Sequence, residues 1–233
     1  MVLLRRASFV VIASICIGCN IPRDPNGTLK RVREGAMRVG VLENEPWVKR
    51  NSGEPSGVEI EIVRQFAAEL GAKPEWIWGS EEELMEALKH NELDLLIGGL
   101  TESTPWQDEV GLTNSYVTSR ITVGVPRSMP LLSNLKGVQV AVKRGEATAA
   151  YLEDESAIPV RVEDSSKVIG PVAAPEWQLE HWGFALTDIE LHKEKHVMAV
   201  PPGENGWLAR LEQFLRRQRT QVKGMLQQGA IKQ

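Results

Sequence analysis

The segment Arg38–Gly71, RVGVLENEPWVKRNSGEPSGVEIEIVRQFAAELG, limits the folds open to this chain more than any other. Arg38–Leu42 is a short β-branched apolar run that stops in a polar, proline-containing stretch, Glu43–Trp47. Asn51–Gly57 is rich in Gly, Ser and Pro, which supply turn geometry without strain. Ile60, Val63, Phe66, Ala67 and Leu70 then recur at three- and four-residue spacing, with Gly71 placed as a C-cap. Strand, exposed loop, turn and amphipathic helix follow one another. Ligands in open α/β sheets bind just outside the carboxyl ends of strands, so Glu43–Trp47 is expected at the mouth of a site.

The alternation continues. Lys73–Trp78 reads as a strand, and Ser80 with Glu81–Glu83 as the N-cap and acidic first turn of a helix running to His90. Leu93–Gly98 is a continuous apolar strand, buried on both faces. Strands alternating with helices at this spacing argue for βαβ units and mostly parallel sheets. Further strands are expected at Arg120–Val125, Leu135–Val142, Val160–Val162, Pro171–Ala174 and Lys195–Val200, with short helices at Glu146–Leu152 and Glu176–Trp182. A closing helix, Glu204 to about Gln228, carries Trp207, Leu208, Leu211, Phe214 and Leu215 as its apolar face.

In order along the chain, GEPSG before a helix ending in ELGA, then LDLLIGGLT, Leu112–Pro126 and LKGVQVAVKRGE resemble the bacterial extracellular solute-binding proteins of family 3. No one of these motifs is diagnostic; their succession is. The likeness runs from about Thr28 to Gln228 and weakens between Val160 and His192. It implies a two-lobed α/β periplasmic-binding-protein type II fold with a cleft between the lobes. It places lobe 1 at 31–125 plus 195–233 and a trimmed lobe 2 at 126–194. Where the family usually continues with a helix and a GxxDA strand, only the short stretch Ser165–Gly170 intervenes before Pro171–Ala174.

The N-terminus carries a separate signal. Arg5-Arg6 precede an apolar run, Ala7 to Ile17, of signal-peptide length and too short to span a bilayer. Gly18-Cys19 then resembles a lipoprotein signal in which Cys19 is lipidated, although Cys16 stands where such signals usually carry Leu. An ordinary cleaved signal or an uncleaved anchor are the other readings. The expectation is a signal peptide at 1–19, a flexible or extended tether at 20–30, and a location in the periplasm or envelope. Both cysteines lie in the leader, so the body needs no disulfide framework.

Composition excludes one large class. Net charge is −4, and without Arg5 and Arg6 the remainder holds 25 basic against 31 acidic residues. Phosphate backbones need a concentrated basic surface, so nucleic acid is not an expected partner. The expected partners are a small polar molecule and ABC permease subunits, with the protein itself a monomer.

In the amino-acid-binding relatives an Arg, eight residues into the segment beginning GxT, grips the α-carboxylate. Hydroxyls after the second-lobe Gly add donors, and a late Asp takes the ammonium. Here Gly99 and Thr101 remain, but Trp106 stands in the place of the Arg. Gly145 is followed by Glu146 and Ala147 instead of hydroxyls, and Glu176 is the acid nearest the expected Asp. A carboxylate ligand loses a bidentate partner and meets a like charge. What is left is Trp47, Trp106 and Trp177 with Glu43, Glu45, Glu146 and Glu176, which suits a cation or a flat polar molecule. Each Trp also fits core or lobe-interface packing, and each Glu a solvated helix start.

No cofactor motif or cysteine nucleophile is present in the body, and no metal site is expected. His192 and His196 are four apart but lie in an apparent strand, where that spacing does not form a helical metal pair. The expected role is therefore an extracytoplasmic solute receptor and not an enzyme. The alternatives are a non-transporting sensor or decayed receptor, and a cyclohexadienyl-dehydratase-like enzyme on the same fold.

Overall fold

The protein is described by a computed structural model covering residues 23–229. Cys16 and Cys19, and with them the leader and its lipidation, lie outside the described residues. The elements are α1 (Thr28–Val32), β1 (Ala36–Val41), α2 (Val58–Glu69), β2 (Lys73–Trp78), α3 (Glu81–Lys89), β3 (Leu95–Ile97) and β4 (Gly111–Leu112). There follow β5 (Val117–Val125), β6 (Gln139–Lys143), α4 (Thr148–Asp154), β7 (Ile158–Val162) and β8 (Val172–Pro175). The chain ends with α5 (Glu176–His181), β9 (Ala185–His196), β10 (Ala199–Val200) and α6 (Asn205–Gly229). No helix among the described residues is long and apolar enough to cross a membrane.

Two five-stranded sheets result, ordered β2-β1-β3-β10-β4 and β7-β6-β8-β5-β9. In the first sheet β1 pairs in parallel with β2 and β3, while β10 runs antiparallel to β3 and β4. In the second, β6 is parallel to β7 and β8, and β5 is antiparallel to β8 and β9. The fold is the expected two-lobed type, with parallel and antiparallel pairings evenly mixed in each sheet.

The alternation of side chains explains why each sheet is covered twice. In β3, Leu95 and Ile97 join the core beneath α2 and α6, while Leu96 points to the opposite core under α3. The first core is built on Ile60, Val63 and Phe66 of α2, with Phe66 5.0 Å from Phe214 and 5.3 Å from Trp207 of α6. Helix α3 begins with a full capping box, Ser80 and Glu83 each satisfying the other's backbone N–H. In the second sheet Val140 and Val142 face α4, and Ala141, Val172 and Ala174 face α5.

Two placements differ from the reading of the sequence. Strand β5 begins at Val117 and belongs to the second sheet, so the boundary at 125/126 falls at its far end. The reason is β9, a 12-residue strand that pairs with β5 from Val117↔His196 to Val125↔Ala185. The chain therefore passes between sheets at 113–116 and at 197–198. Second, the stretch expected as a tether is tied down from Arg23 onward. Asp24 accepts from Leu29 and Trp207 backbone N–H, and Glu204 from those of Asn26 and Thr28, satisfying donors that two helix starts leave open. The link from β7 to β8 is as short as the sequence implies, holding a single 3-10 turn, Ser165–Lys167.

Candidate functional site

Between the sheets lies a cleft of about 740 Å³. Its first-lobe wall is the loop after β1, expected from strand-end geometry at the mouth of a site, and the loop after β3, which carries the Gly99 and Thr101 that the family resemblance marks. Asn44, Glu45, Pro46 and Trp47 come from the first loop, and Gly99, Thr101 and Ser103 from the second. Gly99 is required where it stands: its φ is +74°, and an added Cβ would lie 2.3 Å from Cδ1 of Trp47.

Beneath this wall sits Glu59, in the first turn of α2 and fully buried. Its carboxylate accepts from the Gly98 N–H (2.6 Å), the Gly99 N–H (3.0 Å) and the Tyr116 hydroxyl. Burial pushes the Glu59 carboxyl up, against the lowering effect of these donors, and drives the Tyr116 phenol well above its usual value. With their N–H groups held below, the Gly98 and Gly99 carbonyls are presented upward. Asn44 Nδ2 donates to the first (2.9 Å), and Nδ1 of His196 lies 3.3 Å from the second.

His196, the last residue of β9, is 3% exposed. Its ring is 4.1 Å from that of Trp47, which in turn meets Tyr116 edge-on. Burial holds the imidazole well below its usual range, at about 4, despite the nearby Gly99 and Leu100 carbonyls. The ring is therefore neutral at pH 7. A proton on Nδ1, facing the Gly99 carbonyl, leaves Nε2 as an acceptor, and no group among the described residues donates to it.

The second-lobe wall is more exposed and more acidic. It includes Glu146, Glu163, Asp164 and Glu194, with Lys143 as its one lysine or arginine among the described residues. Glu163 pairs with Arg144 and Asp164 with Lys167. Glu146 and Glu194 have no lysine or arginine within salt-bridge distance among the described residues. Desolvation raises the carboxyls of both, Glu194 raising that of Glu146 further while Lys143 opposes. Tyr151 and His192 stack at 4.5 Å on the same wall.

Of the residues singled out from sequence, Glu45, Trp47, Gly99, Thr101, Glu146 and Trp177 line the cleft. Glu45 also pairs with Lys49. Trp177 has a second attachment, packing on the first-lobe core and donating to Ser119 Oγ at 3.3 Å. Four others stand elsewhere. Glu43, off the cleft wall, faces Arg50 at 3.7 Å. Trp106 packs against the core under α3 with Lys89 over its ring, because the loop after Thr101 folds back on the first lobe. Glu176 is engaged by Arg120 at 2.9 Å. Gly145 forms the positive-φ turn (+86°) before α4, off the cleft wall, and serves to swing Glu146 in. No group of three or more His, Cys, Asp or Glu able to hold a metal occurs among the described residues.

The sequence reading missed Glu194 and His196 as cleft residues. The signal was present in LHKEKH: in a strand, residues 192, 194 and 196 share one face. All three line the cleft, while Lys195 turns to a separate groove of about 580 Å³ beside α6.

Two lobes joined by paired crossover strands, with a polar cleft between them, are the architecture of type II periplasmic binding proteins. A profile of the bacterial extracellular solute-binding proteins, family 3, matches residues 37–228, and the chain belongs to that family. Its fold is similar to that of the unliganded, open L-cystine solute receptor of Neisseria gonorrhoeae (TM-score 0.71, 16% identity, 86% of this chain and 94% of that one). An ancestral cationic amino acid solute binding protein matches with TM-score 0.69 and 18% identity over 89% of this chain and 97% of that one. Among curated proteins, 95 residues are 35% identical to membrane-bound lytic murein transglycosylase F of Vibrio cholerae serotype O1. That match spans 40% of this chain and only 18% of the relative.

Proposed function

We propose that the chain captures a small cationic or polar solute between its lobes, outside the cytoplasm, through Glu45, Trp47, Gly99, Thr101, Glu146 and Trp177. The observation that carries this reading is the charge of the cleft: five carboxylates against one lysine, with no arginine among its described lining residues. An α-carboxylate finds no bidentate partner there, whereas a cation finds like-signed neighbours that relieve one another when it enters. The reading is binding rather than catalysis.

Two uses of capture are open to such a domain. Delivery to an ABC permease is the role usual for the family, with Cys19 as a lipid anchor at the envelope and the receptor a monomer. The likeness to part of a lytic murein transglycosylase favours a second, non-transporting use, in which the domain senses a solute on behalf of an attached or neighbouring enzyme. Native mass spectrometry of protein purified gently from its host tests capture itself. A co-purifying small molecule is expected, and Trp47→Ala should reduce its retention. A protein that carries nothing and is stabilised by no solute in a thermal-shift panel would defeat the reading. Uptake lost on deletion of a permease points to transport; unchanged uptake points to sensing.

A further inference from the structure

Two acceptors meet at the root of the cleft with nothing between them to share. Oε2 of Glu194 lies 3.8 Å from Nε2 of His196. The Nδ1 of the same ring faces the Gly99 carbonyl, so the neutral ring presents a lone pair at Nε2. A carboxylate and an imidazole lone pair cannot hydrogen-bond each other. Leaving a buried acceptor without a donor costs free energy that any arriving N–H group recovers.

We infer that Glu194 and Nε2 of His196 form a seat for one protonated amine of the captured solute, its N–H groups donating to both acceptors at once. The inference rests on the cleft being a solute site and names the chemistry it selects. An ammonium carries three donors and no acceptor, and one nitrogen can reach two acceptors 3.8 Å apart once the partly exposed Glu194 side chain shifts to uncover the buried Nε2. Glu146 adds a second carboxylate to the field, and desolvation raises the carboxyls of both, a cost that an arriving cation offsets. The Trp47 ring, packed on the imidazole, keeps the His196 side dry. The charged and titratable groups near the seat are Glu146, Lys143, His192 and Glu194, with Glu59 beneath Gly99. A quaternary ammonium of equal charge has no N–H and does not fit the seat.

The test uses 1,5-diaminopentane, its bis-trimethylammonium analogue and 1,5-pentanediol at constant ionic strength, read by calorimetry on the intact protein. The diamine is expected to bind at least ten-fold more tightly than either analogue, and Glu194→Gln to weaken it at least ten-fold. His196→Phe should act in the same direction; because that ring is buried, Glu194→Gln decides if the Phe variant does not fold. Imidazole 15N shifts give an independent reading, with Nε2 remaining unprotonated when the diamine is bound. Equal binding of diamine and quaternary analogue, undiminished binding to Glu194→Gln, no diamine binding, or a proton already on Nε2 at pH 7 would each overturn the seat. A solute that co-purifies equally with wild type and Glu194→Gln would sink the seat and leave the cleft reading standing. Absence of any bound solute would take down both.

Discussion

The two walls of the cleft are built on different principles. On the first lobe the turn after β3 rests on a buried group, the Gly98 and Gly99 N–H on Glu59, and Asn44 ties the loop after β1 to the Gly98 carbonyl. On the second lobe Glu146, Glu163 and Asp164 stand on loops and Glu194 near the end of β9, and the partners of Glu163 and Asp164, Arg144 and Lys167, are largely exposed. The first wall is fixed before any solute arrives, so its shape is part of the stability of the domain. The second can change its side chains, and hence its preference, with little effect on folding.

The largest effect should come from breaking the fixed wall. Glu59→Ala leaves two backbone N–H groups and the Tyr116 hydroxyl without an acceptor in the core, a loss of about 3 kcal/mol or more in urea unfolding. Glu59→Gln keeps one acceptor oxygen and should lose less. If the alanine variant is as stable as wild type, the first wall is not held from below.

A nearly equal effect is expected from pH. The folded pKa of His196 is about 4 against 6.5 for the free side chain. The unfolded chain therefore binds the extra proton between those values, and stability falls as pH drops from about 6.5 to 4. The full difference is about 3 kcal/mol at roughly 1.4 kcal/mol per pH unit. Glu59 has the opposite sign: its raised pKa makes the native state the better proton binder from about 4.5 upward, so that contribution is lost as pH rises. The two overlap, so the measurement is the difference between wild type and His196→Phe across that range. A difference that does not change with pH would mean the imidazole is not held neutral by burial.

How far the sequence reveals this contrast depends on the kind of signal. The strand at Lys73–Trp78, the Ser80 cap and the closing helix follow from local pattern, and the strand read at Leu93–Gly98 is present in shorter form at Leu95–Ile97. The loop after β1 lies on the cleft because strand ends frame sites in such sheets. Glu59 was not legible: VEIEIV offers Glu59 and Glu61 equally, and only packing against the Gly98-Gly99 turn makes one a buried acceptor and leaves the other outside. Trp106 misled because an aromatic in the place of a binding Arg looks like a replacement in the site. Its loop instead turns back onto the core.

Trp106 supplies a prediction of intermediate size. Trp106→Ala removes a half-buried indole from the core under α3 and should lower stability by about 2 kcal/mol while leaving solute retention unchanged. Trp47→Ala should reduce retention at matched temperature below its midpoint. If both variants lose solute alike, the distinction between the cleft loop and the neighbouring loop is false.

The smallest expected effect is the sharpest test of the adaptable wall. Glu163 and Arg144 form an ion pair with side chains 81% and 63% exposed, and water screens most of its attraction. Glu163→Gln should leave the urea midpoint within experimental error. Because Glu163 is part of the acidic lining, the same change should weaken a cationic solute by a small factor, reduced by added salt as screening replaces the lost field. Stability unchanged and affinity slightly lower is the pattern that separates a wall that selects from a wall that supports. A substantial loss of stability in this variant would show that the second lobe is as tightly built as the first, and the division of labour between the walls would be wrong.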